Sequence, residues 1–192
     1  LDNWRYGWEA VRDQLANSMV VSVGAVLFCL SIAIPTSYVL ARYRFPGREL
    51  LYYALMVTMF LPGGAAALVT TFKLISSMGL MNNLAALILL GGIGGQVTCV
   101  FILRQFIEEI PKELFESAQI DGAGHLRQMW MIVLPLSGPI IGTLAIMQFI
   151  ATWNDIMLPL ILLRDQELLT VPVGLLRLDG EYVKEYGKLM AG

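Results

Sequence analysis

Apolar residues gather along the chain into four long runs, separated by short polar stretches. The runs cover residues 17–41, 50–72, 84–106 and 129–163. At ~1.5 Å of rise per residue, each of the first three is long enough to cross a hydrocarbon core of ~30 Å as a helix. Ionisable side chains are nearly missing from these three runs. Arg104, late in the third, is the exception, and Lys73 lies just past the second, where it can snorkel to an interface. The fourth run is too long for one straight crossing. A helix from Met131 would use about 20 residues by Thr152. Trp153, Asn154 and Asp155 are therefore expected near the far interface, with 156–163 as a bent continuation. The pattern predicts an all-α fold, a polytopic transmembrane helix bundle.

Prolines and glycines refine this expectation. Pro35, Pro62 and Pro139 fall inside the runs, and each removes a backbone donor and tends to kink its helix. Neighbouring helices in a bundle can satisfy the freed carbonyls. Gly91 and Gly95 form a small-xxx-small pair suited to close helix packing. With no strand before it, the glycine cluster at 91–95 is no dinucleotide-binding loop.

Composition supports a membrane setting. Hydrophobic residues make up 57% of the 192-residue chain and charged residues 15%, against about 45–50% and about 25% in soluble domains. A net charge of −2 gives no grip on nucleic acid. Cys29 and Cys99 lie in apolar runs, without metal-ligand spacing or a disulfide framework, and read as small buried residues. His125 is the single histidine and reads as a loop surface residue, so general-base or metal chemistry lacks a second group. No phosphate loop is present, so any use of ATP falls to another chain. No cofactor or metal is expected.

Charge also orients the chain. The stretch 42–49 carries Arg42, Arg44 and Arg48, whereas 76–83 carries no charge. The positive-inside rule puts 42–49 in the cytoplasm. The segment 108–130 then lies inside, while 1–14, 76–83 and 164–185 lie outside. Residues 1–12 are amphipathic with mixed charge, unlike a signal peptide. The chain begins at Leu1 without an initiator Met and is expected to be part of a longer protein. Residues 182–192 read as the approach to a further span.

The inside segment 108–130 is the most informative. Pro111 at a first helical position suits a helix start, and 112–120 holds mostly good helix formers. Leu114, Phe115 and Ala118 fall on one face. Gly122 and Gly124 permit a sharp turn, after which a second helix leads back toward the membrane. A short helix held outside the bilayer needs an apolar landing site, either the bundle itself or a separate protein. Exposure of Leu114 and Phe115 would otherwise cost roughly 1.5–3 kcal/mol each.

This segment resembles a family loop. ABC importer permeases carry Glu-Ala-Ala, three residues, Gly, nine residues and Ile-x-Leu-Pro. The chain has Glu116-Ser117-Ala118, three residues, Gly122, nine residues and Ile132-Val133-Leu134-Pro135. Ser117 is the one departure, and it is small. Ile110-Pro111-Lys112-Glu113-Leu114, Ile120-Asp121-Gly122-Ala123, Thr152-Trp153-Asn154-Asp155, Pro159-Leu160, Leu169-Thr170-Val171-Pro172-Val173-Gly174 and the tail from Tyr186 extend the likeness to the carbohydrate-uptake branch, of the maltose type.

The resemblance implies one transmembrane permease domain over 1–192, from which the family's first and last spans are expected to be absent. It implies a cytoplasmic coupling loop at 108–130 and an extracytoplasmic loop at 164–185. The loop helix would dock in a cleft of an ATP-hydrolysing partner subunit. A second, different permease subunit and an extracytoplasmic binding protein would complete an importer for a sugar, oligosaccharide or polyol in a bacterial or archaeal cytoplasmic membrane. Coupling would fall to Glu116 as the charged contact, Leu114, Phe115 and Ala118 as the apolar anchor, Gly122 as the turn, and Ser117, Asp121 and Pro135 around them. Acidic Glu108, Glu109, Glu113 and Asp121 act there or merely solvate the loop. The stretch 175–188 resembles the part that reaches into the binding protein.

Other polar groups keep two readings. Asn154 and Asp155 contact a hydroxylated substrate, or cap a helix end beside a Trp153 anchor. Gln96, Thr98, Gln148 and Thr152 line a pathway or tie helices together. An ion-coupled secondary transporter is the alternative function, but it would place Asp, Glu or His mid-span, and the first three runs hold none centrally. A membrane-embedded enzyme would need paired catalytic groups that the chain lacks.

Overall fold

The computed structural model describes residues 2–60 and 65–181, with side chains described over 11–60 and 67–177. Every regular element among them is helical. The helices are α1 (Asp2–Arg42), α2 (Arg48–Thr58), α3 (Ala65–Ser77), α4 (Leu84–Gly94), α5 (Gln96–Glu109), α6 (Lys112–Ile120), α7 (His125–Leu136), α8 (Gly138–Trp153), α9 (Met157–Leu162) and α10 (Val171–Glu181), with one 3-10 turn at Gln166–Leu168. Within α1, Val11–Arg42 is the one described helix long and apolar enough by itself to cross a membrane. Its exposed positions include Val20, Leu27 and Val39, as lipid-facing positions in a bundle do.

The long runs of the sequence are subdivided. The second run falls on α2 and α3, and Pro62 between them lies outside the described residues. The third is bent by 43° between α4 and α5, where Gly95 intervenes. The fourth is broken more sharply, by 76° between α7 and α8. Pro135 and Pro139 explain the site of that break. Four residues apart, they remove the donors that would serve the carbonyls of Met131 and Pro135. The helix loosens into a π turn at Met129–Val133 and ends at Ser137. If each bent pair counts as one span, the described residues hold three spans. Past α8, Trp153 ends the helix as expected and Met157–Leu162 continues it after a short gap. The stretch 164–185, expected as an extracytoplasmic loop, contains α10. Pro172 in its first turn costs no hydrogen bond there and pre-sets the helical φ. Residues 182–188 lie outside the described residues.

The chain packs as two compact units. Leu1–Ala25, Gly63–Gly91 and Gln148–Gly192 form one, and Val26–Pro62 with Gly92–Met147 the other. The core of the first gathers Val21, Ile75, Leu87, Leu162, Leu163 and Val173. Its two loops are tied by Asn82, whose Oδ1 accepts from the backbone N–H groups of Arg164 and Asp165 at 2.9 and 3.1 Å. Asn82 sits at φ +57°, a conformation that Asn tolerates. The core of the second gathers Tyr38, Leu103, Ile107, Phe115, Met129 and Val133. In each unit the loops that meet are ones the charge pattern assigns to the same face.

Close approach in the first unit depends on glycine. A Cβ on Gly24 would lie 2.8, 3.0 and 3.2 Å from three atoms of the Ile88 side chain, and one on Gly91 would lie 3.2 Å from both Ala25 and Thr152. Gly24→Ala is expected to lower stability by about 1–3 kcal/mol through overpacking. Thermal unfolding of the full-length permease in detergent checks this, with Gly94→Ala as the control that should change little, since nothing lies within 4 Å of that position.

Candidate functional site

The segment around α6 is built from the backbone outward. Ile110 ends α5 in extended backbone, and Pro111, at ψ 135°, acts as the N-cap of α6. The helix therefore starts one residue later than expected. Its end is a complete Schellman motif: the Ala123 N–H donates to the Ala118 carbonyl at 2.8 Å, and the Gly122 N–H donates to the Gln119 carbonyl at 3.0 Å. Gly122, at φ +77°, is the left-handed residue that this motif requires. Gly124 has φ −66°, so it is not the second flexible joint the sequence suggested. The turn is a fixed stop.

The side chains of α6 divide differently from the expected anchor. Leu114 is 46% exposed, whereas Phe115 is 5% exposed and Ala118 is half-buried. Phe115 enters the chain's own core beneath the Arg42 guanidinium, which lies 3.6 Å from the ring centroid. Glu116, Ser117, Asp121 and Gly122 are exposed, and so is Ile120 at 87%. Ile120 was missed as a surface group because a β-branched apolar residue at a helix end reads as core. Glu116 and Ile120, four residues apart, thus share one exposed side of the helix, and Leu114 is exposed on the other side of Phe115. Beyond the turn, Leu126, Trp130 and Met131 are exposed as well. Val133 is buried and Pro135 exposed.

Three contacts clamp this segment to the end of α1. Arg42 covers Phe115. The Tyr43 and His125 rings lie 4.8 Å apart. The Tyr38 hydroxyl donates to Gln128 Oε1 at 3.4 Å, while Gln128 Nε2 donates to the Ala123 carbonyl at 2.8 Å. His125, read from sequence as a surface residue, is exposed, with its ring against Tyr43.

A fourth tie involves Arg104. Its buried guanidinium lies 3.7 Å from the Tyr52 ring centroid, donates to Glu108 Oε1 at 3.0 Å and to Glu49 Oε1 at 3.1 Å. The hydrogen bond from Arg48 does most to hold the Glu49 carboxyl below the usual carboxylate range, with Arg104 adding to it against partial desolvation. An Arg with Glu four residues on was visible in the sequence. Its distant partners Glu49 and Tyr52 were not.

Most of the other polar candidates are engaged in hydrogen bonds. Gln96 Nε2 donates to the Cys29 carbonyl at 3.2 Å. Gln148 Nε2 donates to the Gly91 carbonyl at 2.7 Å and to Thr152 Oγ1 at 3.2 Å. Both amides thus hold neighbouring helices. Asp155 Oδ1 accepts from the Met157 and Leu158 N–H groups at 3.0 and 3.4 Å, which caps α9. Asn154 is exposed at the end of α8. Asp155 also borders a cavity of about 10 Å³ with Ser22, Thr152 and Thr170, room for roughly one water. Among the described residues no group of His, Cys, Asp and Glu is arranged to hold a metal ion.

The chain is 32% identical to the diacetylchitobiose uptake system permease protein NgcG of Streptomyces coelicolor, over 99% of its own length and 66% of the relative's. It is 33% identical to the arabinooligosaccharides transport system permease protein AraQ of Halalkalibacterium halodurans, over 92% of the chain and 62% of the relative. The chain therefore spans just under two thirds of each. Its fold matches that of a bacterial ABC transporter involved in the import of the acidic polysaccharide alginate, with a TM-score of 0.84 over 98% of this chain and 72% of that one, at 21% identity. The family model for binding-protein-dependent transport system inner membrane components matches residues 33–184, and this match, which contains the whole of α6 and its Schellman turn, makes the chain a member of that family.

Proposed function

We propose that the chain works as the transmembrane permease subunit of an ATP-driven importer of a sugar, oligosaccharide or related polyol, multi-pass in a bacterial cytoplasmic membrane. The observation that carries this is the division of α6. Phe115 roots the helix in the permease's own core, a Schellman turn fixes its end, and Leu114, Glu116 and Ile120 are left outward. A helix held this way transmits force between bodies instead of absorbing it. ATP is hydrolysed by a partner chain with a cleft that takes in the exposed sides of the helix. Glu116 makes the charged contact, Leu114 and Ile120 the apolar ones, and Ser117, Ala118, Asp121, Gly122 and Pro135 keep the shape. A second permease subunit and an extracytoplasmic binding protein, met by 164–185, complete the assembly. The names of the diacetylchitobiose and arabinooligosaccharide relatives support a carbohydrate substrate. Gln96 and Gln148 serve as helix ties and Asp155 as a cap of α9, which leaves exposed Asn154 as the polar group to meet substrate.

The test uses the full-length permease reconstituted with its ATPase, second permease and binding protein. Glu116→Ala is expected to reduce ATP-driven uptake about ten- to hundredfold, the worth of one hydrogen bond to a charged group, with membrane insertion retained. Unchanged uptake would sink the assignment of Glu116. Uptake driven by an ion gradient without ATP would sink the importer reading itself.

A further inference from the structure

We propose that the pocket between the end of α1, the loop after it and α6 binds the phosphate group of an anionic ligand, either a phospholipid headgroup or a free phosphate. The pocket has a volume of about 440 Å³ and lies wholly within one compact unit. Arg42, Arg44 and Lys112 line it, and none of the three has an ion-pair partner among the described residues. Against them stands one unpaired carboxylate, Glu116. The pocket's other charged lining groups are already engaged, Arg48 with Glu49 and Glu108 with Arg104. The buried side chains of Tyr38 and Gln128 also line it, and they are neutral and polar. A concave site with unpaired cations around a polar floor focuses field on an anion. Arg42 and Arg44 offer planar donor forks that match a phosphate.

The place in the fold favours a lipid. The pocket meets the last turn of the one described helix long and apolar enough to cross a membrane, and Leu50 and Leu51 just beyond the loop are exposed. Resting on the reading of the chain as membrane-embedded with 42–49 inside, the proposal puts an anionic headgroup of the inner leaflet beside the helix that meets the ATPase. Membrane lipid would then set how firmly α6 is seated.

The complete transporter in nanodiscs tests this. Retention of phosphatidylglycerol against phosphatidylcholine is measured by native mass spectrometry, with and without inorganic phosphate in solution. Wild type is expected to retain phosphatidylglycerol preferentially. Arg44→Gln and Lys112→Gln are each expected to lower that retention about fivefold, the usual worth of one cation beside an anionic surface. Arg127→Gln, an exposed cation on the same segment that does not line the pocket, is expected to change nothing. Retention that inorganic phosphate does not displace identifies the headgroup as ligand. Displacement identifies free phosphate as an equal occupant, and the phosphate chemistry stands. No lipid preference in wild type, together with no phosphate binding, overturns the proposal, as does an equal loss in Arg127→Gln, which would mean general surface charge. The wild-type comparison holds even if a variant fails to assemble. ATP-driven uptake that persists without any lipid preference would remove the anion site and leave the importer reading intact.

Discussion

Phe115→Ala is expected to destabilise the permease by about 3–5 kcal/mol, the cost of deleting a buried ring and leaving its cavity, and to abolish coupled uptake. Phe115 is 5% exposed in the core of its unit, and the Arg42 guanidinium loses its aromatic face when the ring is removed. The functional consequence follows from length. With nine residues, α6 is too short to be stable on its own, since isolated helices need about 12–15 residues. Phe115 is the one buried side chain it has. Without it, the outward residues remain but nothing fixes their direction. Leu114→Ala supplies the contrast. That side chain is half in water already, so its loss should change stability by less than about 0.5 kcal/mol while still lowering uptake through the lost partner contact. Chemical unfolding of the full-length permease and uptake by the reconstituted complex measure both. Equal destabilisation by the two variants would show that inward and outward faces are misassigned.

Gly122→Val is expected to uncouple ATP hydrolysis from uptake while leaving membrane insertion intact. Space is not the obstacle, because nothing lies within 4 Å of a Cβ at this position. The obstacle is φ +77°, which a β-branched residue adopts only under strain of about 1–3 kcal/mol, or a five- to 150-fold loss in the population of the native turn. Relief of that strain breaks the two Schellman bonds and lets α6 run on past Asp121. Two controls separate conformation from bulk. Gly122→Asn should retain most activity, because Asn enters the left-handed region more readily than other non-glycine residues. Gly124→Ala should be near neutral, because its φ is ordinary and its surroundings open. Hydrolysis and uptake measured side by side in proteoliposomes decide it. Coupled transport by Gly122→Val at the wild-type rate would refute the role given to the turn.

These residues also mark what the sequence could reveal. Helical class, long apolar runs and the loop motif from Glu116 to Pro135 were legible because period and spacing are local. Gly122 was legible because a positive φ leaves glycine as its signature. Even the break at Ser137 was half-written in Pro135 and Pro139. The inward turn of Phe115 was not legible. Leu114, Phe115 and Ala118 share a helix face by spacing, but which edge of that face meets the core depends on Arg42, some seventy positions earlier in the chain. The same holds for Arg104, whose exception to an apolar run is explained by Glu49 and Tyr52. The helix in 171–181 was hidden by a different effect: its polar half suggested a loop, while Pro172 in the first turn in fact favours the helix start.

Site-directed crosslinking of the assembled transporter tests the central claim most directly. With Cys29 and Cys99 replaced, single cysteines are placed at Glu116, Ile120 and Phe115 of the full-length permease, and a short thiol crosslinker is added to the complex from the ATPase side. Glu116→Cys and Ile120→Cys are predicted to join to the ATPase with a yield that changes when nucleotide is bound, and Phe115→Cys to give no product. Absence of any crosslink from Glu116→Cys and Ile120→Cys, or their labelling by a membrane-impermeant reagent from the outer face, would contradict the placement of α6 as the link to the motor.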